Sequence, residues 1–497
     1  MPTLTHEQTI NTALGEVLHE LGRNWNIRSE HVGRIFQEGG RPDILVEKTD
    51  GWPVVLEAEV GNHRQAEIEA KSRLGNHLVS SANLVHASIA VVYPASLRRH
   101  HGAALRAALL DATLEYALYT VEADNSTSRF PEQGWMSGKV AELAVLVHRS
   151  SIPAWRVEAL ATTLENGVVR AQGTLSANHP HGSPLGRTIA ELLGQADDED
   201  GQTRRMAMVV LVNALIFQAS LAEAGMQVPA AIPRSVRSPG EFRQLQTFRP
   251  SQILDEWELI LAVNYWPIFH TASQIIHALP TQLAATLLEA LWQTAEELVV
   301  GGVTRSHDLT GVIFQRLIAD RKFLATYYTR PSCAALLAGL ALPIDAPISG
   351  QGWGDAASLS AVRIGDFACG TGTLLSTAYQ RLGLLHEIHG GDPSAIHPAM
   401  MERGLVGLDV LTVAVHLTAA ILAGSHPDTP FEGECLLTMP YGNYKWGVCL
   451  GSLDLLEEQT SFEIIQAAAQ TAGGRGTTAV TNLVEQVGHG HFDLVIE

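Results

Sequence analysis

The sequence is poor in cysteine, in positive charge and in long apolar runs. Its 497 residues include four cysteines, none of them in a C-x-x-C pair: Cys333, Cys369, Cys435 and Cys449. This spacing argues against a zinc site, and such a low cysteine content is typical of a reducing compartment. No apolar run reaches the roughly 18 residues of a membrane-spanning helix, and the segment Met1–Thr12 is polar, unlike a secretory signal. These absences predict a cytoplasmic protein.

Positive charge is scarce because 33 lysines and arginines face 52 acidic residues, which gives a formal net charge of −19. A protein that binds DNA through its phosphates needs lysine and arginine, so the overall charge does not by itself suggest nucleic acid. Two local clusters are nevertheless basic enough to contact phosphates. They are Arg98, Arg99, His100, His101 and Arg106, and then Arg316, Arg321, Lys322 and Arg330.

The length and the apolar content predict an α/β multi-domain protein. A chain of 497 residues is long enough for about three domains, and 46% hydrophobic residues can build their cores. Short apolar runs alternate with helical patterns near both ends of the chain, while the middle is helical throughout. We therefore predict an α/β domain over residues 1–150, a helical domain over 151–321, and a second α/β domain over 322–497.

A glycine-rich turn lies between an apolar run at residues 361–364 and a helical pattern after it. Gly370 and Gly372 allow unusual backbone dihedrals and close approach of a ligand. The helix start behind them offers unpaired N–H groups to a polar ligand. A P-loop would need lysine where Thr373 stands, and a dinucleotide fingerprint would need glycine where Leu375 stands. The turn therefore predicts a small polar ligand. It matches neither the P-loop nor the dinucleotide fingerprint in full.

From Asp366 the turn reads D-F-A-C-G-T-G-T-L-L. It resembles motif I of S-adenosylmethionine-dependent N6-adenine DNA methyltransferases, D-P-A-C-G-T-G-T-L-L, with Phe367 in the proline position. The resemblance implies a Rossmann-like methyltransferase domain with S-adenosylmethionine as the cofactor. It also implies that the amino-acid part of the cofactor is held by Asp366 and by the backbone of Ala368, Cys369, Gly370 and Gly372.

Segments before and after the turn resemble further motifs of this family. Tyr328, Thr329 and Pro331 resemble the Y-T-P element that contributes to the methionine end of the cofactor, although one residue is inserted before the proline. Asp409 ends the next apolar run, and the resemblance implies that it accepts hydrogen bonds from the ribose hydroxyls. Asp454 resembles the acid that meets the adenine amino group, and its alternative role is a helix cap.

Residues 492–496 read F-D-L-V-I. In the family this strand is followed at once by N-P-P-F/Y, the motif that grips the target adenine and stacks on it. The printed sequence does not contain that motif after Glu497. We therefore expect double-stranded DNA as the substrate, and a C-terminal continuation or second subunit that carries the motif.

Acidic residues are predicted to converge on one face of an N-terminal hairpin. Asp43 begins one strand, and Glu57 and Glu59 lie two apart on the next strand, so that both point to the same face. Three neighbouring carboxylates repel one another unless a cation is bound, which suggests a Mg²⁺ site. The order strand, strand, helix, strand, helix, strand then completes the predicted domain.

The hairpin resembles the PD-(D/E)xK nuclease core, with Pro42-Asp43 as the first element and Glu57-Ala58-Glu59 as the second. Glu59 stands in the lysine position, so Lys71 on the following helix is our candidate for the missing cation. The implied nuclease site consists of Asp43, Glu57, Glu59 and Lys71, with Asp43 and Glu57 as the Mg²⁺ ligands and with Glu16 or Glu20 completing the metal shell.

The middle segment shows apolar residues at helical spacing, including one pattern that runs from Ile253 to Phe269. An irregular connector over residues 228–250 separates two groups of these helical patterns. It carries Arg234, Arg237 and Arg243, which could contact DNA. No chemistry is assigned to the helices, which we expect to act as a spacer.

Three hypotheses follow. The first is the N-terminal part of a site-specific adenine-N6 DNA methyltransferase of a restriction-modification or phage-defence system, because the domain order resembles single-chain type IIG enzymes. The second keeps the cofactor but transfers methyl to RNA, protein or a small molecule. The third is a non-catalytic DNA- or partner-binding module with degenerate nuclease and methyltransferase folds.

Overall fold

The computed structural model describes residues 4–21, 25–30, 34–48, 51–80, 83–122, 124–151, 154–195, 199, 201–245, 248–300, 329, 331–348, 350–431, 433–456 and 492–497. The chain forms two compact units. One comprises Met1–Glu158 with His386–Gly391, and the other comprises Ala159–Leu385 with Asp392–Glu497. Both units combine helices with sheets, so the predicted α/β multi-domain class is confirmed.

The first unit is built on a mixed sheet. Its elements in chain order are α1 (Glu7–Leu21), β1 (Trp25–Ser29), β2 (Ile44–Lys48), β3 (Val54–Val60), α2 (His63–Arg73), β4 (Ala87–Tyr93), α3 (Gly102–Asp111), β5 (Leu114–Val121), β6 (Thr127–Phe130), β7 (Met136–Gly138) and α4 (Val140–Ser150). The sheet order is β1-β2-β3-β4-β5-β6, with β7 also paired to β5. Strands β3 and β4 are parallel, whereas β2 and β5 run antiparallel to them. The predicted element order is confirmed, and β1 is an additional strand.

Alternation along β3 separates an apolar face from an acidic one. Leu56 and Ala58 lie in the main core with the buried residues of α1, α3 and α4. Glu57 and Glu59 pair with Ala90 and Val92 of β4, whose side chains pack against α2. The acidic residues of β3 therefore face α2, which brings side chains of that helix to them.

The second unit begins with a group of helices. They are α5 (Ala154–Asn178), α6 (Pro184–Leu192), α7 (Gln202–Glu223), α8 (Pro239–Arg243), α9 (Pro250–Val263), α10 (Trp266–Ala278) and α11 (Thr281–Val300), with a short hairpin of β8 (Gln227–Val228) and β9 (Arg234–Ser235) before α8. Among the described residues, α7 is long and apolar enough to cross a membrane, but 89% of its apolar window is buried in the fold. A helix that is apolar on all sides is typical of a protein core.

The single helix predicted from Ile253 to Phe269 is wrong, because the chain breaks between α9 and α10. Tyr265 has a left-handed backbone with φ +68°. Pro267 lies in the first turn of α10, where its missing N–H is tolerated. The side-chain amide of Asn264 donates to the Phe431 carbonyl at 2.6 Å. Tertiary hydrogen bonding thus stabilises a break that apolar periodicity alone does not reveal.

The rest of the second unit contains a parallel sheet. Its elements are α12 (Pro331–Ala341), α13 (Ala356–Leu359), β10 (Ile364–Asp366), α14 (Thr373–Ile388), α15 (Pro393–Ala399), β11 (Leu405–Asp409), α16 (Thr412–Ala423), β12 (Cys435–Thr438), β13 (Tyr441–Tyr444), β14 (Gly447–Leu450) and β15 (Leu494–Val495). The sheet order is β12-β11-β10-β15, and all neighbours are parallel. The chain moves from β10 outward to β12 and then returns to the other side of β10. This reversal is a topological switch point, where ligands bind in open α/β sheets.

Candidate functional site

The glycine-rich turn lies at the carboxyl end of β10, beside the switch point. Asp366 ends the strand and is buried, and one of its carboxylate oxygens accepts the Ala368 N–H at 3.3 Å. The Cys369 N–H donates to the Leu408 carbonyl at 2.8 Å, which ties the turn to β11. The buried Cys369 thiol has a pKa raised well above its ordinary value by burial, so the residue serves the site through its backbone.

The two glycines of the turn have different surroundings. Both have left-handed backbones, with φ +54° at Gly370 and φ +79° at Gly372. A Cβ on Gly372 would lie 2.7 Å from the Cγ2 atom of Thr418, whereas a Cβ on Gly370 would meet no atom within 4 Å. Gly372 is therefore needed for packing inside the fold, whereas a side chain at Gly370 would enter open space.

Asp366 and Asp409 lie at the carboxyl ends of neighbouring parallel strands. Burial, together with the negative charges of Asp409 and Glu497, raises the pKa of Asp366 to about 7, although the Ala368 N–H opposes this shift. Burial likewise raises the pKa of Asp409. Two crowded, buried carboxyl groups with raised pKa values would be stabilised by a cationic or hydroxyl-rich ligand.

These residues fit S-adenosylmethionine. The cofactor carries an ammonium and a sulfonium cation, which would relieve the charge crowding at Asp366, and a ribose whose hydroxyls need acceptors. Asp409 already accepts the Gly370 N–H at 2.9 Å and the Leu411 N–H at 2.8 Å, but a carboxylate has about four acceptor positions and retains capacity for hydroxyl donors. Val410, which follows it, is partly exposed and offers an apolar surface beside the same strand end.

For the other predicted cofactor residues, Asp454, Thr329 and Tyr328, the structure gives less information. Asp454 is buried in a 3₁₀ helix (Gly451–Leu456) and accepts the Leu450 N–H at 2.9 Å, as in the alternative capping role. Gly451 at the start of this helix is close enough to Val410 that a Cβ would lie 3.0 Å from its side chain. Thr329 is half-buried, and Tyr328 lies outside the described residues.

A second candidate site lies in the first unit. Asp43, Glu57 and Glu69 each place a carboxylate oxygen within 4.8 Å of the others. Asp43 precedes β2 and Glu57 lies on β3, as predicted, while Glu69 of α2 was not identified from the sequence. Glu69 lies on the face of α2 that is turned toward the sheet, a position that becomes visible only once the helix is docked. Carboxylate oxygens are the ligands that Mg²⁺ prefers, so the donor set fits this ion.

The charges of this cluster are unbalanced. Burial raises the pKa of Asp43 to about 7, against the Ala58 N–H that donates to it at 2.8 Å. Burial and then the charge of Asp43 raise the pKa of Glu57 to about 8, while the neighbouring Arg73 opposes this shift. Such carboxylates become more stable when a divalent cation joins them.

The cation beside the cluster is Arg73 rather than Lys71. The Arg73 guanidinium donates through Nε to Glu57 and through a terminal nitrogen to the Arg41 carbonyl at 2.6 Å. Lys71 instead lies 3.8 Å from Glu67 and over the Tyr119 ring. The two side chains are two positions apart on α2, about 200° around the helix, so only one of them faces Glu57.

The acid of α1 that lies near Glu59 is Glu7, and not Glu16 or Glu20 as expected. Burial raises the pKa of Glu59 to about 7, and the carboxyl group of Glu7 adds to the shift. Glu7 also accepts the Val60 N–H at 3.0 Å. Glu16 is exposed and Glu20 pairs with Arg106, so the acid that α1 brings to Glu59 is Glu7, from its first turn.

Several basic side chains have acidic partners, and the cluster of Arg316, Arg321, Lys322 and Arg330 lies outside the described residues. Arg98 lies 3.8 Å from Glu7. In the connector, Arg234 and Arg237 both bind the fully buried Glu256, at 2.6 and 2.8 Å. These two arginines therefore share one acid of their own unit, and the expectation that the connector contacts DNA stays a prediction.

No protein-family model and no curated protein sequence matches the chain. Several solved structures resemble it weakly. A DrdV complex with DNA shares 13% identity at a TM-score of 0.34, covering 92% of this chain and 39% of that one. BpuSI, a type IIG restriction endonuclease, shares 12% identity at a TM-score of 0.26, covering 86% and 42%. LlaBIII, an ATP-dependent type ISP restriction-modification enzyme bound to DNA, shares 13% identity at a TM-score of 0.23, covering 64% and 19%. The chain thus spans about two fifths or less of these proteins, and the proposals below rest on its own residues.

Proposed function

We propose that the second unit binds S-adenosylmethionine for methyl transfer to the N6 amine of adenine in DNA. The observation that supports this proposal is that Asp366 and Asp409 lie at adjacent strand ends beside a topological switch point, with open space on the Cβ side of Gly370. The motif resemblance gives the cofactor and the reaction class. The two acids at the strand ends are acceptors of the kind that the cofactor's ammonium and ribose hydroxyls need.

The residues take distinct roles in this proposal. Asp366 holds the cationic amino-acid end, and Asp409 accepts from the ribose hydroxyls. The N–H groups of Ala368, Cys369, Gly370 and Gly372 donate to protein acceptors and so fix the shape of the turn. The cofactor supplies an electrophilic methyl group. Tyr328, Thr329 and Asp454 remain candidates for the methionine and adenine ends. The target adenine has to leave the DNA stack to reach such a site.

Calorimetric titration with S-adenosylmethionine tests this assignment. We expect the wild-type chain to bind it, and Asp366→Ala and Asp366→Asn to lose binding because neither retains a negative charge. Asp345→Ala is a matched control, since Asp345 is an exposed acid of the same unit. Equal affinity in the Asp366 variants and the control would remove the assignment. Tritium transfer from labelled cofactor into DNA, RNA or protein then identifies the acceptor.

We further propose metal-dependent DNA cleavage by the first unit. The supporting observation is that Asp43, Glu57 and Glu69 bring three carboxylates within 4.8 Å of one another beside Arg73. Bound Mg²⁺ would activate water and neutralise the phosphate. In a plasmid-cleavage assay we expect Mg²⁺-dependent nicking that Asp43→Asn abolishes and the exposed-residue control Glu132→Gln retains. Absence of cleavage with Mg²⁺ or Mn²⁺ in the wild type would favour the non-catalytic binding module.

A further inference from the structure

Helix α16 has two fully buried polar side chains on opposite sides. His416 and Thr418 are two residues apart, which is about 200° around an α-helix. Thr418 faces the glycine-rich turn, whereas His416 faces α7 and α10. The helix therefore connects the proposed cofactor site with the helical part of the same unit.

On the first side, the Thr418 hydroxyl donates to the Gly370 carbonyl at 3.1 Å. The N–H of the same glycine donates to Asp409 at 2.9 Å. Gly370 is thus held at both its N–H and its carbonyl oxygen, from α16 and from the end of β11. The Thr418 side chain also fills the space where a Cβ on Gly372 would lie.

On the second side, His416 is hydrogen-bonded at both ring nitrogens. Nδ1 lies 2.9 Å from the Pro267 carbonyl, and Nε2 lies 3.0 Å from the side-chain amide nitrogen of Asn213. A carbonyl oxygen only accepts, so Nδ1 carries the hydrogen and Nε2 accepts from the amide. Burial lowers the pKa of His416 to about 4, which agrees with this neutral tautomer.

We propose that Thr418 is a positioning residue for the cofactor turn, and that α16 is fixed for this purpose by the His416 contacts with Asn213 and Pro267. The inference rests on the proposed binding of S-adenosylmethionine and adds the residue that holds the turn in its binding shape. It also gives the helical segment a role as the frame of the site, where the sequence suggested a spacer.

The physical reason lies in the freedom of glycine. A peptide group at Gly370 can rotate at little steric cost because the residue has no Cβ. Without the Thr418 hydroxyl, the Gly370 carbonyl would lose this partner, and the peptide groups of the turn could leave the conformation in which Gly370 donates to Asp409. A buried hydrogen bond contributes about 1 kcal/mol net, so we expect roughly a fivefold loss of affinity when it is removed.

The test compares three substitutions at position 418. Thr418→Ser keeps the hydroxyl, Thr418→Val keeps the shape without it, and Thr418→Ala removes both. By calorimetry with S-adenosylmethionine, we expect Ser to bind within about twofold of wild type and Val to bind roughly fivefold or more weakly. Thr271→Val, which changes another buried threonine of the unit, should leave the affinity unchanged. Equal affinities for Ser and Val would overturn the proposal.

A second measurement keeps the proposal testable if the wild type fails to bind the cofactor, a result that would count against the proposed function alone. Hydrogen exchange of a peptide covering residues 366–373 reports on the turn directly. We expect faster exchange in Thr418→Val and in Asn213→Leu than in wild type or Thr418→Ser. Identical exchange in all four proteins would show that neither Thr418 nor the His416 contacts hold the turn.

Discussion

Asp409 accepts the backbone N–H of Gly370 at 2.9 Å although the two residues are 39 positions apart in the sequence. The motif resemblance implies that Asp409 binds the ribose hydroxyls. In the structure its carboxylate also holds the turn that follows the neighbouring strand β10. One carboxylate can do both because its two oxygens offer about four acceptor positions. Asp409 therefore belongs to the framework of the turn as well as to the proposed ribose site.

Alanine at the two glycines of the turn should have different effects. Both substitutions place a Cβ on a left-handed residue, which costs about 1 kcal/mol. In Gly370→Ala the methyl group enters open space, so we expect lower cofactor affinity with little change in the melting temperature. In Gly372→Ala it collides with Thr418 at 2.7 Å, so we expect a larger loss of stability. Calorimetry and thermal unfolding of both variants check this, and a lower melting temperature for Gly370→Ala than for Gly372→Ala would contradict it.

Arg73 and Lys71 should differ strongly in their effect on stability. Arg73→Met leaves the buried Glu57, whose pKa is raised to about 8, without its hydrogen-bonding partner, and such a loss costs about 2 kcal/mol. Lys71→Met removes a pair that is largely exposed to solvent and should change the free energy of unfolding by less than about 1 kcal/mol. Urea unfolding at neutral pH measures both. Similar values for the two variants would show that Arg73 does not stabilise the acidic cluster.

These contrasts also show which features the sequence reveals. Asp43 and Glu57 can be predicted because they lie on or next to paired strands, and Asp366 and Asp409 because the segments around them resemble family motifs. Other contacts depend on how a helix is rotated against the sheet or against other helices. That packing determines that Arg73 rather than Lys71 contacts Glu57, that Glu69 and Glu7 lie near the acids of β3, and that Thr418 contacts Gly370. Short sequence patterns carry little information about such packing.

The buried acid of α9 should be essential for the helical part of the second unit. Glu256 is fully buried and accepts from both Arg234 and Arg237 and from the Arg237 backbone N–H at 2.9 Å. Glu256→Ala leaves two guanidinium groups without their shared partner, and we expect a loss of about 3 kcal/mol. Glu258→Ala, an exposed acid two residues further along the same helix, should be nearly neutral. Chemical denaturation compares the two, and equal stabilities would mean that the network contributes nothing.

The acidic cluster of the first unit should make stability fall with rising pH in the absence of metal. The pKa values of Asp43, Glu57 and Glu59 are raised to about 7, 8 and 7, above the roughly 4 of an unfolded chain. Between these limits the folded protein binds more protons than the unfolded one. Its free energy of unfolding therefore decreases from about pH 4.5 toward pH 8.

Divalent metal should reverse this trend, because it binds the ionised carboxylates of the folded state and stabilises it by mass action. We expect Mg²⁺ to raise the melting temperature more at pH 8 than at pH 5.5, measured against EDTA in the same buffers. The double variant Asp43→Asn with Glu57→Gln removes two of the groups that titrate, so it should show a weaker pH dependence and no Mg²⁺ effect. Histidines elsewhere titrate in both proteins and cancel in the comparison. A Mg²⁺ effect of the same size in the double variant would place the ion somewhere other than between Asp43 and Glu57.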